Sequence, residues 1–157
     1  DMASLTPCGS FRHGDAIATD IGMDAFIREV FFQDLAIIEM VDGDGGKRIL
    51  GKVLFDTDKS IIKVEYNALL DNVASIIKTT DNIFVCVSGH TDSTASNSYN
   101  EALSQRRAEA VMQALLSRGA SPDRVFPRAH GETEPVAPNN TRSGRQENRR
   151  VEISVID

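Results

Sequence analysis

The chain has 157 residues, 41% of them hydrophobic, and a formal net charge of -6. That length suits one domain with a real core plus an extension. The acidic balance argues against a general nucleic-acid binder, and no apolar run is long enough to span a membrane.

Residues 1 to 34 read as an N-terminal extension. They mix Pro, Gly, Ser and charge, and only Asp24 to Phe32 carries an apolar stripe fit for a short helix. The domain proper is expected over residues 35 to 157. Leu35 to Val41 and Arg48 to Phe55 read as two strands of a hairpin around Asp42-Gly43-Asp44-Gly45-Gly46. Asp56-Thr57-Asp58-Lys59 makes a polar exit. A helix follows from about Lys63 to Thr79, where Tyr66, Leu69, Leu70, Val73, Ile76 and Ile77 keep a 3.6-residue period.

Ile83 to Ser88 is a short apolar run, as in a strand covered on both faces. The next helix starts at Ser96 or Ser98, the latter in capping-box spacing with Glu101, and ends at Arg118-Gly119. Ser121-Pro122-Asp123 begins one extra turn. Val125 to Ala129 is a strand, Gly131 to Ser143 a loop, and Gln146 to Arg149 the approach to a last strand. In that strand Val151, Ile153 and Val155 alternate with Glu152 and Ser154. The expected architecture is an α/β two-layer sandwich, a mixed sheet with helices on one face.

Two cysteines do not set a compartment. Cys86 reads as a buried free thiol in a strand, with a Cys8–Cys86 disulfide as the alternative in an oxidising compartment.

The long helix carries the chemistry. Leu103, Ala110, Val111, Ala114 and Leu115 fall on one side, and Arg107 lies in the middle of that side, with Asn100 two turns earlier. A buried arginine needs a partner, and Asp92 in the preceding turn is the candidate. The two residues form either an internal ion pair or the two ends of a site for a ligand with both an ammonium and a carboxylate. Asn100 and the backbone around Thr94 would add neutral hydrogen bonds. Arg142, Arg145, Arg149 and Arg150 form a basic cluster, ordinarily a solvated face; Arg149 is the one assigned to a ligand site. His13, His90 and His130 lack metal-ligand spacing, no serine has an evident His–Asp arrangement, and no phosphate loop appears. Neither a cofactor nor a metal is expected.

Gly89-His90-Thr91-Asp92, Tyr99-Asn100, Leu103-Ser104, Arg106-Arg107-Ala108 and Val111 resemble the signature of the OmpA-like C-terminal domain. Leu54-Phe55-Asp56, Asp123-Arg124-Val125, Gly131-Glu132 with Pro135, and Asn148-Arg149-Arg150-Val151-Glu152 extend the likeness from about Arg48 to the C-terminus. This module is shared by outer-membrane protein A, the peptidoglycan-associated lipoprotein and stator proteins of the MotB type.

The resemblance implies a βαβαβ-type core that binds the peptide stem of peptidoglycan without cleaving it, in the periplasm of a Gram-negative bacterium. Asp92 would hold the amino group of diaminopimelate and Arg107 its carboxylate, with Asn100, Arg149, Thr57 and Asp58 also facing the ligand. Ala95 departs from a frequent glycine, and Asp58 from a frequent asparagine. The competing expectation is a structural interaction module of the same fold, with other envelope proteins as partners. Residues 1 to 34 lie outside the family pattern and are expected either to tether the domain to a larger envelope machine or to cap the sheet edge. A homodimer is a further alternative.

Overall fold

The computed structural model describes Cys8, Val41–Asp42 and residues 48–156. The expected helix at 24 to 32, the first part of the hairpin and its turn lie outside these residues. Five strands form one mixed sheet: β1 (Val41–Asp42), β2 (Arg48–Leu54), β3 (Phe84–Gly89), β4 (Val125–Ala129) and β5 (Arg150–Ile156). Their spatial order is β1-β2-β5-β3-β4. β1 pairs antiparallel with β2, Val41 opposite Ile49, as a hairpin requires. β5 runs antiparallel to both β2 and β3, and β3 runs parallel to β4. The last strand of the chain therefore sits near the centre of the sheet, and all seven of its residues are buried.

Two long helices, α1 (Asn67–Thr79) and α2 (Asn97–Ser117), cover one face. Side chains alternate across a strand, so Val85, Val87 and Gly89 of β3 share that face with Val151, Ile153 and Val155 of β5. They meet Leu70, Val73 and Ile77 of α1 and Ala108, Val111 and Leu115 of α2 in one core. Gly89 is required there: a Cβ would overlap the carbonyl oxygen of Ser104 on α2. Helix and sheet backbones approach this closely only over glycine.

The 3.6-residue pattern located α1 well, although Val64–Tyr66 form a 3-10 turn before it instead of its first turn. α2 buries Asn100, Leu103, Ser104, Arg107, Ala108, Val111 and Leu115. Ser104 and Ala108 join this buried face, Ala114 packs half-buried against the core, and Ala110 is half-buried at its margin. The cap is Ser96, whose hydroxyl accepts from the Tyr99 amide at 3.2 Å, so the Ser98–Glu101 capping box does not form. α2 ends as expected, with Gly119 at φ +104°.

A third helix, α3 (Arg142–Asn148), replaces the expected loop end and approach to β5. Thr141 caps it by accepting from the Gly144 amide at 2.9 Å. The Asn148 side chain accepts from the amides of Val136 and Ala137 and donates to the Ala137 carbonyl, fixing the preceding loop.

The other face of the sheet departs from the simple alternation. Arg150, Glu152 and Ser154 are buried, and Arg150 pairs with Glu152 at 2.6 Å. Cys86 points to this face, and it is bridged to Cys8 with Cα atoms 5.6 Å apart. The free-thiol expectation is thus corrected. Two cysteines 78 residues apart meet only through the tertiary fold, which spacing cannot reveal.

Candidate functional site

Three segments converge at one end of the sheet: the turn after β2, the turn after β3, and the start of β5. They surround a pocket of about 230 Å³ lined by Thr57, Asp58, Thr91, Asp92, Thr94, Ala95, Tyr99, Asn100, Leu103, Arg107 and Arg149. All seven residues assigned to a ligand site from the sequence, namely Asp92, Arg107, Asn100, Thr94, Thr57, Asp58 and Arg149, meet in it.

Arg107 is fully buried, yet its guanidinium borders the pocket. Its Nε donates to the Lys59 carbonyl at 2.8 Å, Nη1 to the His90 carbonyl at 2.9 Å and Nη2 to the Asp56 carbonyl at 3.1 Å. It also lies over the Phe55 ring, 5.2 Å from the centroid. One side chain thus ties α2 to the turns after β2 and β3. Burial, partly offset by the charge of Asp92, lowers its pKa from 12.5 to about 10, which leaves it charged at neutral pH.

Asp92 does not pair with Arg107. Its Oδ2 accepts from Arg149 Nη1 at 3.0 Å. Its Oδ1 accepts from the Thr94 hydroxyl at 2.6 Å and the Thr94 amide at 3.1 Å. Burial alone would raise the pKa of this carboxyl. The Thr94 hydrogen bonds and the Arg149 charge outweigh it, and the group is held below its ordinary 3.8. Of the two alternatives for Asp92 and Arg107, the internal ion pair is not formed: Arg107 is taken up by backbone carbonyls and acts on Asp92 only at longer range.

Arg149 is pinned on both sides. Its Nε donates to the Phe55 carbonyl at 2.9 Å and its Nη2 to Gln146 at 3.0 Å. The basic cluster is accordingly divided. Arg149 and Arg150 are buried and paired, whereas Arg142 is exposed.

Asn100 lines the pocket and also braces the turn beside it. Its amide nitrogen donates to the Asp92 carbonyl at 3.3 Å, the Ala95 carbonyl at 3.1 Å and Glu132 at 2.7 Å. It holds the turn that presents Asp92, and its NH2 group is committed within the protein.

Asp58 takes a left-handed conformation, φ 59°, which aspartate and asparagine tolerate better than most residues. Its carboxylate accepts a hydrogen bond from the Tyr99 hydroxyl, which links the two sides of the pocket mouth and raises the tyrosine pKa. Ala95 does not occupy the positive-φ region, so this turn does not need a glycine there.

Thr91, Tyr99 and Leu103 line the pocket without having been singled out for it. A signal for two of them exists: Tyr99, Leu103 and Arg107 are spaced i, i+4, i+8 and share one stripe of α2. His90 and His130, which showed no ligand spacing in the sequence, are neighbours in space together with Glu134, whose carboxylate lies 3.6 Å from His130 Nδ1. The two imidazoles stack with centroids 4.9 Å apart and planes 11° from parallel. In-plane nitrogen lone pairs of stacked rings run alongside one another and do not converge on one cation, so the arrangement is one of packing. His13 lies outside the described residues.

The fold and this pocket define an OmpA-like α/β module, with a polar site where the turns after β2 and β3 meet the start of β5. The chain belongs to the OmpA family, whose pattern matches residues 54–149. It is 42% identical over 102 residues to outer membrane protein A of Bordetella avium, covering 65% of this chain and 53% of that one. It is 38% identical over 106 residues to the peptidoglycan-binding protein ArfA of Mycobacterium bovis, covering 67% of this chain and 32% of that protein. The crystal structure of the peptidoglycan-associated lipoprotein from Burkholderia pseudomallei superposes with a TM-score of 0.65 at 32% identity, covering 66% of this chain and 88% of that one.

The chain spans about half or less of the length of these curated relatives. Its setting, like that of its relatives, is the cell envelope, on the periplasmic side of the outer membrane. Among the described residues no helix is long and apolar enough to cross a membrane.

Proposed function

We propose that this domain binds peptidoglycan non-covalently through the diaminopimelate of the stem peptide, and so anchors an envelope protein or complex to the cell wall. The observation that carries this reading is the meeting of Asp92, Arg107 and Arg149 around one pocket, each with bonding capacity left over. Asp92 is a carboxylate held ionised by its donors, which suits an acceptor for an ammonium. Arg107 offers a planar fork for a carboxylate. The role proposed is binding without cleavage, and Asp92, held ionised, is a poor proton donor. The peptidoglycan-binding and peptidoglycan-associated names of two relatives support the same reading.

The test is calorimetric titration of the purified chain with a diaminopimelate-containing muropeptide, beside a lysine-containing one that lacks the extra carboxylate. Binding to the first alone is expected. Asp92→Ala or Arg107→Ala should weaken it by about 2–5 kcal/mol. Wild-type affinity in either variant removes the clamp.

A second reading draws on the three carbonyls that Arg107 holds. They also suit a purely structural clasp in a module that meets other envelope proteins. A folded domain that binds neither muropeptide would establish it.

A further inference from the structure

The buried charges of the pocket do not balance. Arg107 and Arg149 contribute two guanidinium groups and Asp92 one carboxylate, all of them buried. The fourth charged group, Asp58, is exposed and engaged by the Tyr99 hydroxyl. The buried layer taken by itself therefore carries one excess positive charge, which the exposed Asp58 carboxylate offsets only from the pocket mouth.

The hydrogen-bond inventory leans the same way. A guanidinium has five N–H donors. Arg107 uses one on each nitrogen, for Lys59, His90 and Asp56, so one N–H remains on each terminal nitrogen. Arg149 uses one on each nitrogen, for Phe55, Asp92 and Gln146, and likewise keeps two. An ionised carboxylate has about four acceptor positions, and Asp92 has three filled by Thr94 and Arg149. On the residues that line the pocket, four arginine N–H groups and about one Asp92 acceptor position are thus left without a partner among the described residues.

From this asymmetry we infer that the free side-chain carboxylate of the ligand is the main determinant of recognition, that its ammonium is secondary, and that the carboxamide form is rejected. This rests on the peptidoglycan reading above and narrows it to walls whose diaminopimelate is unamidated. A carboxylate supplies two acceptor oxygens and the missing negative charge. A carboxamide supplies one oxygen, no charge and an NH2 group that would face guanidinium N–H donors. Donor against donor leaves buried groups unpaired, and sites of this kind discriminate strongly.

Three muropeptides of otherwise identical structure test this by titration into the intact chain: the free acid, its side-chain carboxamide, and a deamino analogue that keeps the acid. The carboxamide should bind about 30-fold more weakly or worse. The deamino analogue should lose less than the carboxamide. A carboxamide loss below tenfold, or a larger loss on deamination, overturns the inference while leaving peptidoglycan binding in place. Failure of all three to bind a folded chain removes the peptidoglycan reading itself, and this inference with it. Arg107→Lys keeps a charge without the planar fork, and the acid-to-amide preference should shrink in it even where total affinity is retained.

Discussion

Asp92 and Arg149 form an ion pair at 3.0 Å, joining the turn after β3 to the residue that leads into β5. Both side chains are nearly inaccessible, at 6% and 10% exposure. Arg149→Ala would leave the Asp92 carboxylate buried with only Thr94 to serve it. A loss of about 3–5 kcal/mol in folding stability is expected, measured by urea denaturation. A loss under about 1 kcal/mol would mean that the pair is solvated in solution.

The same pair sets an acid limit. The folded-state pKa of Asp92 lies below its ordinary 3.8. Its stabilising contribution is therefore complete above about pH 4 and disappears as pH falls through the lowered value. Asp92→Asn cannot titrate. The stability difference between wild type and this variant should be greatest near neutral pH and shrink steadily below pH 4. Urea melts of both proteins between about pH 2 and pH 7 would show this convergence, and parallel curves would exclude it.

Gly89 lets β3 lie directly against the backbone of α2. Gly89→Ala would drive a methyl group into the Ser104 carbonyl, so α2 must move. Arg107 lies on that helix one turn beyond Ser104, and Asp92 three residues beyond Gly89, so both would shift relative to each other. A stability loss of about 1–3 kcal/mol is expected, together with weakened muropeptide binding, by thermal melting and titration of the same sample. Intact binding at reduced stability would separate the pocket from this contact.

Much of this arrangement was legible beforehand, and what was not has physical causes. Arg107 stands out because a charge interrupts an apolar stripe, and helical period alone brings it to the sheet. Asp92 follows from its place in a turn. Of the two readings of that couple, the direct ion pair does not form, because a guanidinium can also be satisfied by carbonyls, and a sequence does not mark where carbonyls point. Arg149, 57 residues from Asp92, takes its place because β5 inserts beside β3. Strand order of that kind is set by tertiary packing. Arg150 belongs to a basic cluster that reads as a solvated face, yet it is buried against Glu152. The cap at Ser96 won over Ser98 because helix start is decided by the turn before it.

The disulfide makes a fourth prediction. Cys8 and Cys86 close a long loop, and reduction, or Cys8→Ser, should cost about 2–4 kcal/mol of stability. The bridge is on the sheet face away from α2, so muropeptide affinity should stay within about twofold. Melting curves and titrations with and without reductant would test both halves, and loss of affinity on reduction would link the bridge to the pocket.

That bridge also decides how tension would travel. Pull arriving at Cys8 from its N-terminal side crosses directly to Cys86 in β3, and residues 9 to 85 form a covalent bypass that need not be stretched. From Cys86 the chain runs along β3 to Gly89 and reaches Asp92 in the pocket three residues later. A domain held at its pocket and pulled at its leading segment would therefore be loaded along one short strand through the middle of the sheet. That strand is hydrogen-bonded on both sides, to β4 and to β5, and those ladders would have to shear together before the hold is lost.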